Sequence, residues 1–189
     1  MQNLKQVFYA PNQLTILRLI FIPFVILSIF LRQYGTAFVL VLIAGISDGL
    51  DGVLARRLGQ QTTLGMYLDP IADKLLLSSS FVALGLAHQI PHWVVILVLS
   101  RDVISLATAL VLILTTSLRP PPPSLYGKIN TFAQVATVLL TLLLLLYSLE
   151  ALRWLQQAAV YCTATFTVVS GLHYAFATAE RLRNMERAS

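Results

Sequence analysis

The chain has 189 residues, of which 57% are hydrophobic and only 11% charged, with a net charge of +5. This composition excludes an ordinary soluble domain and is typical of a polytopic membrane protein. Six apolar segments, each near the ~20 residues that span a bilayer, follow one another: 13–32, 36–56, 65–87, 91–117, 127–149 and 153–178. Because their connections are short, we predict an all-α fold in which residues 1–189 form one domain, a bundle of six transmembrane helices.

The basic residues predict the orientation of this bundle. With the N-terminus in the cytoplasm, the inner side collects most of them: Lys5, Arg56, Arg57, Arg119, Lys128, Arg181, Arg183 and Arg187. The outer side keeps Arg32 and Arg153, as the positive-inside rule requires. We therefore expect a multi-pass protein of the cytoplasmic membrane with both termini on the cytoplasmic side. Such basic residues suit anionic lipid headgroups better than nucleic acid.

Four aspartates occupy the facing ends of the second and third segments: Asp48, Asp51, Asp69 and Asp73. A carboxylate at membrane depth costs roughly 2.5–3.5 kcal/mol, so the cluster requires a bound cation. The i,i+3 and i,i+4 spacings put each pair on one helix face, and the short turn between the segments brings both pairs near the cytoplasmic surface. Oxygen ligands without His or Cys favour Mg²⁺, Mn²⁺ or Ca²⁺. Four carboxylates can hold two such ions about 3.5–4 Å apart.

Small residues accompany the first aspartate pair. A stripe of them runs along the second segment at helical spacing: Gly45, Gly49, Gly52 and Ala55. In a membrane such a stripe lets another helix or a ligand approach the backbone closely. For Gly45 both interpretations stay open, whereas the glycines beside the aspartates favour ligand clearance. Arg56, at the membrane edge, is placed to meet a diphosphate.

Two alternatives exist for the aspartate cluster. The first is a set of buried ion pairs with Lys74, Arg101 and Arg18, although the cost of removing water from such pairs is rarely offset. The second is a cation transporter, which predicts carboxylates near the bilayer midplane and broken helices. Lys74 directly follows Asp73, and it either tunes that carboxylate or bridges to another aspartate.

The full pattern resembles the signature of the CDP-alcohol phosphotransferase family, D-x2-D-G-x2-A-R-x8-G-x3-D-x3-D, with every spacing kept between Asp48 and Asp73. The likeness continues outside the motif in PNQLTILR, SRD, GKINTFAQ and SGLHY, at 11–18, 100–102, 127–134 and 170–174. The resemblance implies a six-helix membrane enzyme, usually a homodimer, whose active site opens at the cytoplasmic interface. Such enzymes displace CMP from CDP-diacylglycerol with an acceptor hydroxyl.

The resemblance also implies roles for single residues. The four aspartates of the motif would hold two divalent metal ions, Mg²⁺ or Mn²⁺, and Asp73 would also act as the general base. The CDP site would be lined by five residues: Gly52, Ala55, Arg56, Thr62 and Gly65.

Three basic residues are candidates for a second pocket that binds an anionic acceptor: Arg18, Arg101 and Lys128. Each has a simpler interpretation. Arg18 can snorkel to the interface, Lys128 can serve as an interfacial anchor, and Arg101 can pair with its neighbour Asp102. An arginine deep in a membrane segment is nevertheless costly without a purpose.

Two branches of the family resemble this chain outside the core motif. The PNQLT opening, G-K-x-x-T and SGLHY are similar to phosphatidylglycerophosphate synthases, which use glycerol 3-phosphate and usually carry Arg-Glu where this chain has Arg101-Asp102. S-R-D and K-x-N-T are similar to eukaryotic-type cardiolipin synthases, which use phosphatidylglycerol. We expect glycerol 3-phosphate as the acceptor, with phosphatidylglycerol as the alternative.

Overall fold

The computed structural model describes the backbone of residues 10–58, 63–115 and 124–186, and the side chains of 16–47, 72, 74–108, 124–180 and 183. These ranges form six α-helices and contain no β-strand: α1 Ala10–Phe30, α2 Tyr34–Leu58, α3 Thr63–Leu86, α4 His92–Thr115, α5 Leu125–Tyr147 and α6 Glu150–Glu186. The all-α prediction is therefore confirmed. The helices follow the six apolar segments closely, except that α6 continues to Glu186 instead of ending near residue 178.

One helix of the described chain, Leu125–Tyr147, is long and apolar enough to cross a membrane by length and composition. Three shorter apolar helical stretches accompany it: Ile16–Phe30, Tyr34–Ser47 and Lys74–Leu86. The complete six-span bundle stays a prediction.

Short connections hold neighbouring helices together. The turns after α1, α3 and α5 each contain one non-glycine residue in the left-handed region: Arg32 (φ 58°), His88 (φ 57°) and Ser148 (φ 50°). Ser148 closes α5 by donating its N–H to the carbonyl of Leu144 at 2.8 Å, which satisfies one of the carbonyls left open at a helix end. The side chain of Ser124 caps the start of α5 by accepting the N–H of Gly127.

The helices pack as a connected bundle. Helix α1 packs against α2 and α3, α2 against α5, α3 against α4 and α5, and both α4 and α5 against α6. The largest buried side chains of the described residues include Phe81, Ile29, Leu84, Ile90, Leu142 and Val25. Together with Val41, Val98 and Val160 they form one apolar cluster to which all six helices contribute.

Helices α3 and α4 approach closely near their connection. A Cβ atom built on Gly85 would stand 2.8 Å from Cγ2 of Val95, nearer than two carbon atoms can pack. Glycine at this position therefore sets the distance between the two helices, and that distance determines which side chains meet further along the pair.

Candidate functional site

The aspartate motif lies on helical backbone, as its spacing predicted. Asp48 and Asp51 belong to α2, and Asp69 and Asp73 belong to α3. The i,i+3 and i,i+4 spacings therefore put each pair on one face of its helix. The side chains of all four lie outside the described residues, so their convergence on metal ions stays a prediction. Among the described side chains, no group of three or more His, Cys, Asp or Glu residues is placed to hold a metal ion.

The predicted CDP-binding residues flank the same connection. Gly52, Ala55 and Arg56 lie on the backbone of α2, and Gly65 lies on that of α3. Thr62 falls in the stretch between the helices, outside the described residues, and the side chains of the other four are likewise outside the description. Their role in binding CDP stays a prediction.

A charged cluster of three residues lies next to the motif. Oδ1 of Asp102 accepts hydrogen bonds from Nη1 of Arg101 at 2.7 Å and from Nζ of Lys74 at 3.2 Å. The Asp102 side chain is 10% exposed, that of Arg101 15% and that of Lys74 39%. The pairing of Arg101 with Asp102, the simpler interpretation of this arginine, is present, and of the two interpretations of Lys74 the structure shows the bridge to another aspartate. We refer to these residues as the Lys74–Asp102–Arg101 cluster.

Helices α5 and α6 border the Arg101 side chain. A Cβ built on Gly171 would lie 3.5 Å from Cγ of Arg101, and one built on Gly127 would lie 3.7 Å from its Nη2. The Nε atom of Arg101 is buried and has no hydrogen-bond partner among the described residues. The Arg101 side chain thus passes α6 at Gly171 and brings its guanidinium to the first turn of α5.

The other two acceptor candidates differ in exposure. Arg18 is 2% exposed and belongs to α1, which packs against both aspartate-bearing helices. This burial argues against a side chain that extends to the headgroups. Lys128 is exposed in the first turn of α5, one residue after Gly127. The structure therefore brings Arg101 close to the turn that carries Lys128.

A polar seam between α5 and α6 was not singled out from the sequence. Thr137 and Thr163 share a hydrogen bond of 2.9 Å, Thr167 donates to Oδ1 of Asn130 at 2.8 Å, and Gln156 donates to Thr141 at 3.3 Å. All six side chains are buried. The available signal was the spacing of polar residues at 130, 134, 137 and 141, one face of an otherwise apolar helix.

The far end of the bundle holds a different pocket. A cavity of about 400 Å³ lies between the α3–α4 connection and the start of α6, lined in part by His88, His92, Trp93, Gln156 and Tyr161. The two imidazole rings meet edge to face, with centroids 5.1 Å apart. Both histidines lie at the α3–α4 connection, at the opposite end of α3 from Asp69 and Asp73.

Comparison with known proteins identifies the family. The model of the family described as CDP-alcohol phosphatidyltransferase matches residues 8–169. The chain is 33% identical over 172 residues to a "Probable phosphatidylglycerophosphate synthase" of Mycobacterium tuberculosis, covering 86% of this chain and 78% of the relative. It is 33% identical over 183 residues to the "CDP-diacylglycerol--glycerol-3-phosphate 3-phosphatidyltransferase" of Bacillus subtilis, covering 88% and 93%.

A relative with another name also matches. The "Probable cardiolipin synthase (CMP-forming)" of Drosophila melanogaster is 36% identical over 155 residues, covering 73% of this chain and 48% of the relative. Since the family match spans most of the sequence, the chain belongs to the CDP-alcohol phosphatidyltransferase family and is a transferase. The resemblance predicted from the sequence is confirmed.

Proposed function

We propose that this protein makes a phospholipid by transferring the phosphatidyl group of CDP-diacylglycerol to the hydroxyl of glycerol 3-phosphate, with release of CMP. The observation that carries the proposal is the intact eight-position motif on α2 and α3. The Bacillus subtilis relative, whose name states this reaction, is matched over 93% of its length. Membership of a transferase family favours this function over cation transport.

The donor set suits two divalent ions, Mg²⁺ or Mn²⁺. Each aspartate pair lies on one helical turn, and all four side chains offer the oxygen ligands that these ions prefer. Asp48, Asp51, Asp69 and Asp73 would hold them. When bound, the ions would neutralise the diphosphate of the substrate and stabilise the departing CMP.

The chain itself supplies the proton acceptor and the nucleotide site. A carboxylate oxygen of Asp73 takes the proton of the acceptor hydroxyl. At the same time the hydroxyl oxygen forms a bond to the phosphorus that carries the diacylglycerol. The bond from that phosphorus to the CMP oxygen breaks, and CMP leaves with the electron pair. Gly52, Ala55, Thr62 and Gly65 line the nucleotide site, where the glycines and the alanine leave room beside the backbone, and Arg56 contacts the diphosphate.

Arg18, Arg101 and Lys128 form the acceptor site in this proposal. A guanidinium binds phosphate through two parallel N–H groups, and the buried Nε of Arg101 is a donor available for such a contact. Lys128 adds a second cation in the nearby first turn of α5. An anionic acceptor such as glycerol 3-phosphate fits this set of charges.

The membrane arrangement belongs to the same proposal. The six helices form one domain over residues 1–189 that spans the cytoplasmic membrane, functions as a homodimer and opens its active site to the cytoplasm. The agreement between the observed helices and the six apolar segments supports this arrangement. An even number of spans puts both termini on the cytoplasmic side, where the positive-inside rule places the basic residues.

A second candidate is cardiolipin synthesis with phosphatidylglycerol as the acceptor. It is favoured by relatives of that name, including a "Putative cardiolipin synthase" of Mycobacterium bovis that is 36% identical over 131 residues. That match covers 68% of this chain and 61% of the relative, whereas the Bacillus subtilis match covers more of both chains. We therefore place this function second.

One assay distinguishes the two reactions. Purified protein is incubated with CDP-diacylglycerol and Mg²⁺ or Mn²⁺, with glycerol 3-phosphate, phosphatidylglycerol, inositol phosphate or serine in parallel. CMP release is measured, and the lipid product is identified by mass spectrometry. We expect phosphatidylglycerophosphate from glycerol 3-phosphate. Cardiolipin from phosphatidylglycerol alone would establish the second candidate, and no product with any acceptor would refute the proposed enzyme.

A further inference from the structure

We infer that Asp102 is a positioning residue that holds Arg101 and Lys74 in place to receive the phosphate group of the acceptor. This inference rests on the proposed function, and it concerns a carboxylate outside the aspartate motif. Asp102 is 8% exposed, and its Oδ1 atom accepts from both cations. One carboxylate oxygen therefore fixes two positive side chains on two different helices.

The depth of the cluster places it beside the motif. Lys74 follows Asp73 in α3 and precedes the end of that helix by about 18 Å, at 1.5 Å per residue. Asp102 lies about 15 Å after the start of α4 by the same measure. The two helices are joined by a short connection, so the contact ties α4 to α3 at the level of Asp73.

The charges of the cluster do not balance. Among the described side chains, two cations and one carboxylate leave a net positive charge, with Asp102 and Arg101 largely removed from water and Lys74 39% exposed. A buried charge without a counterion is strongly unfavourable. Asp102 accepts a hydrogen bond from Nη1 of Arg101, while the buried Nε of Arg101 has no partner among the described residues. A guanidinium carries five N–H donors, so donors remain that an anion can fill.

Two glycines lie beside the Arg101 side chain. Added Cβ atoms on Gly171 and Gly127 would lie 3.5 and 3.7 Å from Arg101 atoms, which is ordinary van der Waals contact. The Arg101 side chain therefore passes close to α6 and ends near the first turn of α5, where Lys128 supplies another cation. The shared chemistry is a phosphate group, carried by soluble glycerol 3-phosphate or by a lipid headgroup.

The test measures KM separately for the two substrates. Initial rates are compared for the wild type, Asp102→Asn, Asp102→Glu and the control Thr108→Val, each purified as folded protein of unchanged size. Thr108 is on the same helix, and its hydroxyl bonds only the carbonyl of Ile104 among the described contacts. The acceptor, glycerol 3-phosphate or phosphatidylglycerol, is varied at saturating CDP-diacylglycerol. CDP-diacylglycerol is then varied at a saturating concentration of the acceptor.

We expect Asp102→Asn to raise KM for the acceptor by about tenfold or more, the usual effect of losing a charged hydrogen bond, with KM for CDP-diacylglycerol unchanged. Asp102→Glu should restore most of the acceptor affinity, and Thr108→Val should leave both KM values unchanged. The acceptor whose KM moves identifies the source of the phosphate. An Asp102→Asn enzyme with an unchanged acceptor KM, or with both KM values raised equally, would overturn the inference.

A second variant keeps the test decisive if Asp102→Asn does not fold. The double variant Lys74→Gln/Asp102→Asn removes one cation together with the carboxylate, so the net charge of the cluster is unchanged. It should fold and still show the raised acceptor KM, because Arg101 has lost its anchor, and the rise should exceed that of Lys74→Gln alone, which measures the contribution of the lysine. A wild-type acceptor KM in this variant would also refute the inference. Failure of the wild type with every acceptor would instead refute the proposed function itself.

Discussion

Nζ of Lys74 lies 3.2 Å from Oδ1 of Asp102 and thereby joins α3 to α4 directly after the predicted base Asp73. Lys74 thus has an acidic partner outside the motif. The same carboxylate oxygen binds Arg101 at 2.7 Å. We therefore expect a substitution at Asp73 to leave this interhelical contact in place, so that its effect on turnover can be measured in a folded protein.

Asp73→Asn is expected to abolish turnover, because an amide neither accepts the hydroxyl proton nor carries the charge that a metal ion needs. Loss of a general base alone lowers rates by roughly 10²–10⁴-fold. CMP release from CDP-diacylglycerol measures the effect, and size-exclusion chromatography verifies the fold. Glu150→Gln is the matched control, since Glu150 is exposed at the start of α6. Near wild-type turnover in Asp73→Asn would contradict the assignment of the base.

Chelation is expected to remove activity reversibly. EDTA should stop CMP release, and added Mg²⁺ or Mn²⁺ should restore it, because two divalent ions neutralise charge on the diphosphate. Asp48→Asn removes one ligand, so it should raise the metal concentration that gives half-maximal activity. Full turnover in excess chelator would count against the metal site.

Arg101→Lys is expected to weaken acceptor binding although it keeps the charge. Lysine lacks the planar fork that binds both a carboxylate and a phosphate, so KM for the acceptor should rise about tenfold for each charged hydrogen bond lost. Arg153→Lys is the control, because Arg153 is exposed near the start of α6. Equal KM values in the two variants would exclude Arg101 from the acceptor site.

Some of the fold could be predicted because local patterns determine it. The apolar segments located all six helices, and the spacing of the aspartates placed each pair on one helical face. The end of α6 was missed because hydropathy falls near residue 178, whereas Glu, Arg, Leu and Met beyond it are strong helix formers. The partner of Lys74 could not be selected, because the rotation of α3 against α4 depends on close packing such as Gly85 against Val95.

That close packing gives a prediction for stability. Gly85→Ala would put a Cβ atom 2.8 Å from Cγ2 of Val95, and overpacking of this kind costs roughly 1–3 kcal/mol. Thermal unfolding in detergent should show the loss, and adding Val95→Ala should recover part of it by removing the opposing methyl groups. Gly45→Ala is the matched control, since no described atom lies within 4 Å of the new Cβ. Equal stability of the two alanine variants would contradict this role of Gly85.

The polar seam should contribute to stability through direct pairing of its hydroxyls. Thr137 and Thr163 are both buried and share a hydrogen bond of 2.9 Å, so Thr137→Val and Thr163→Val each leave one hydroxyl without this partner. A double-mutant cycle isolates the pair, and we expect a coupling energy of about 0.6 kcal/mol, typical of interhelical hydrogen bonds in membranes. Unfolding in detergent gives the four free energies. Thr165→Val, exposed on α6, should be neutral, and a coupling energy of zero between Thr137 and Thr163 would mean that the seam contributes only by packing.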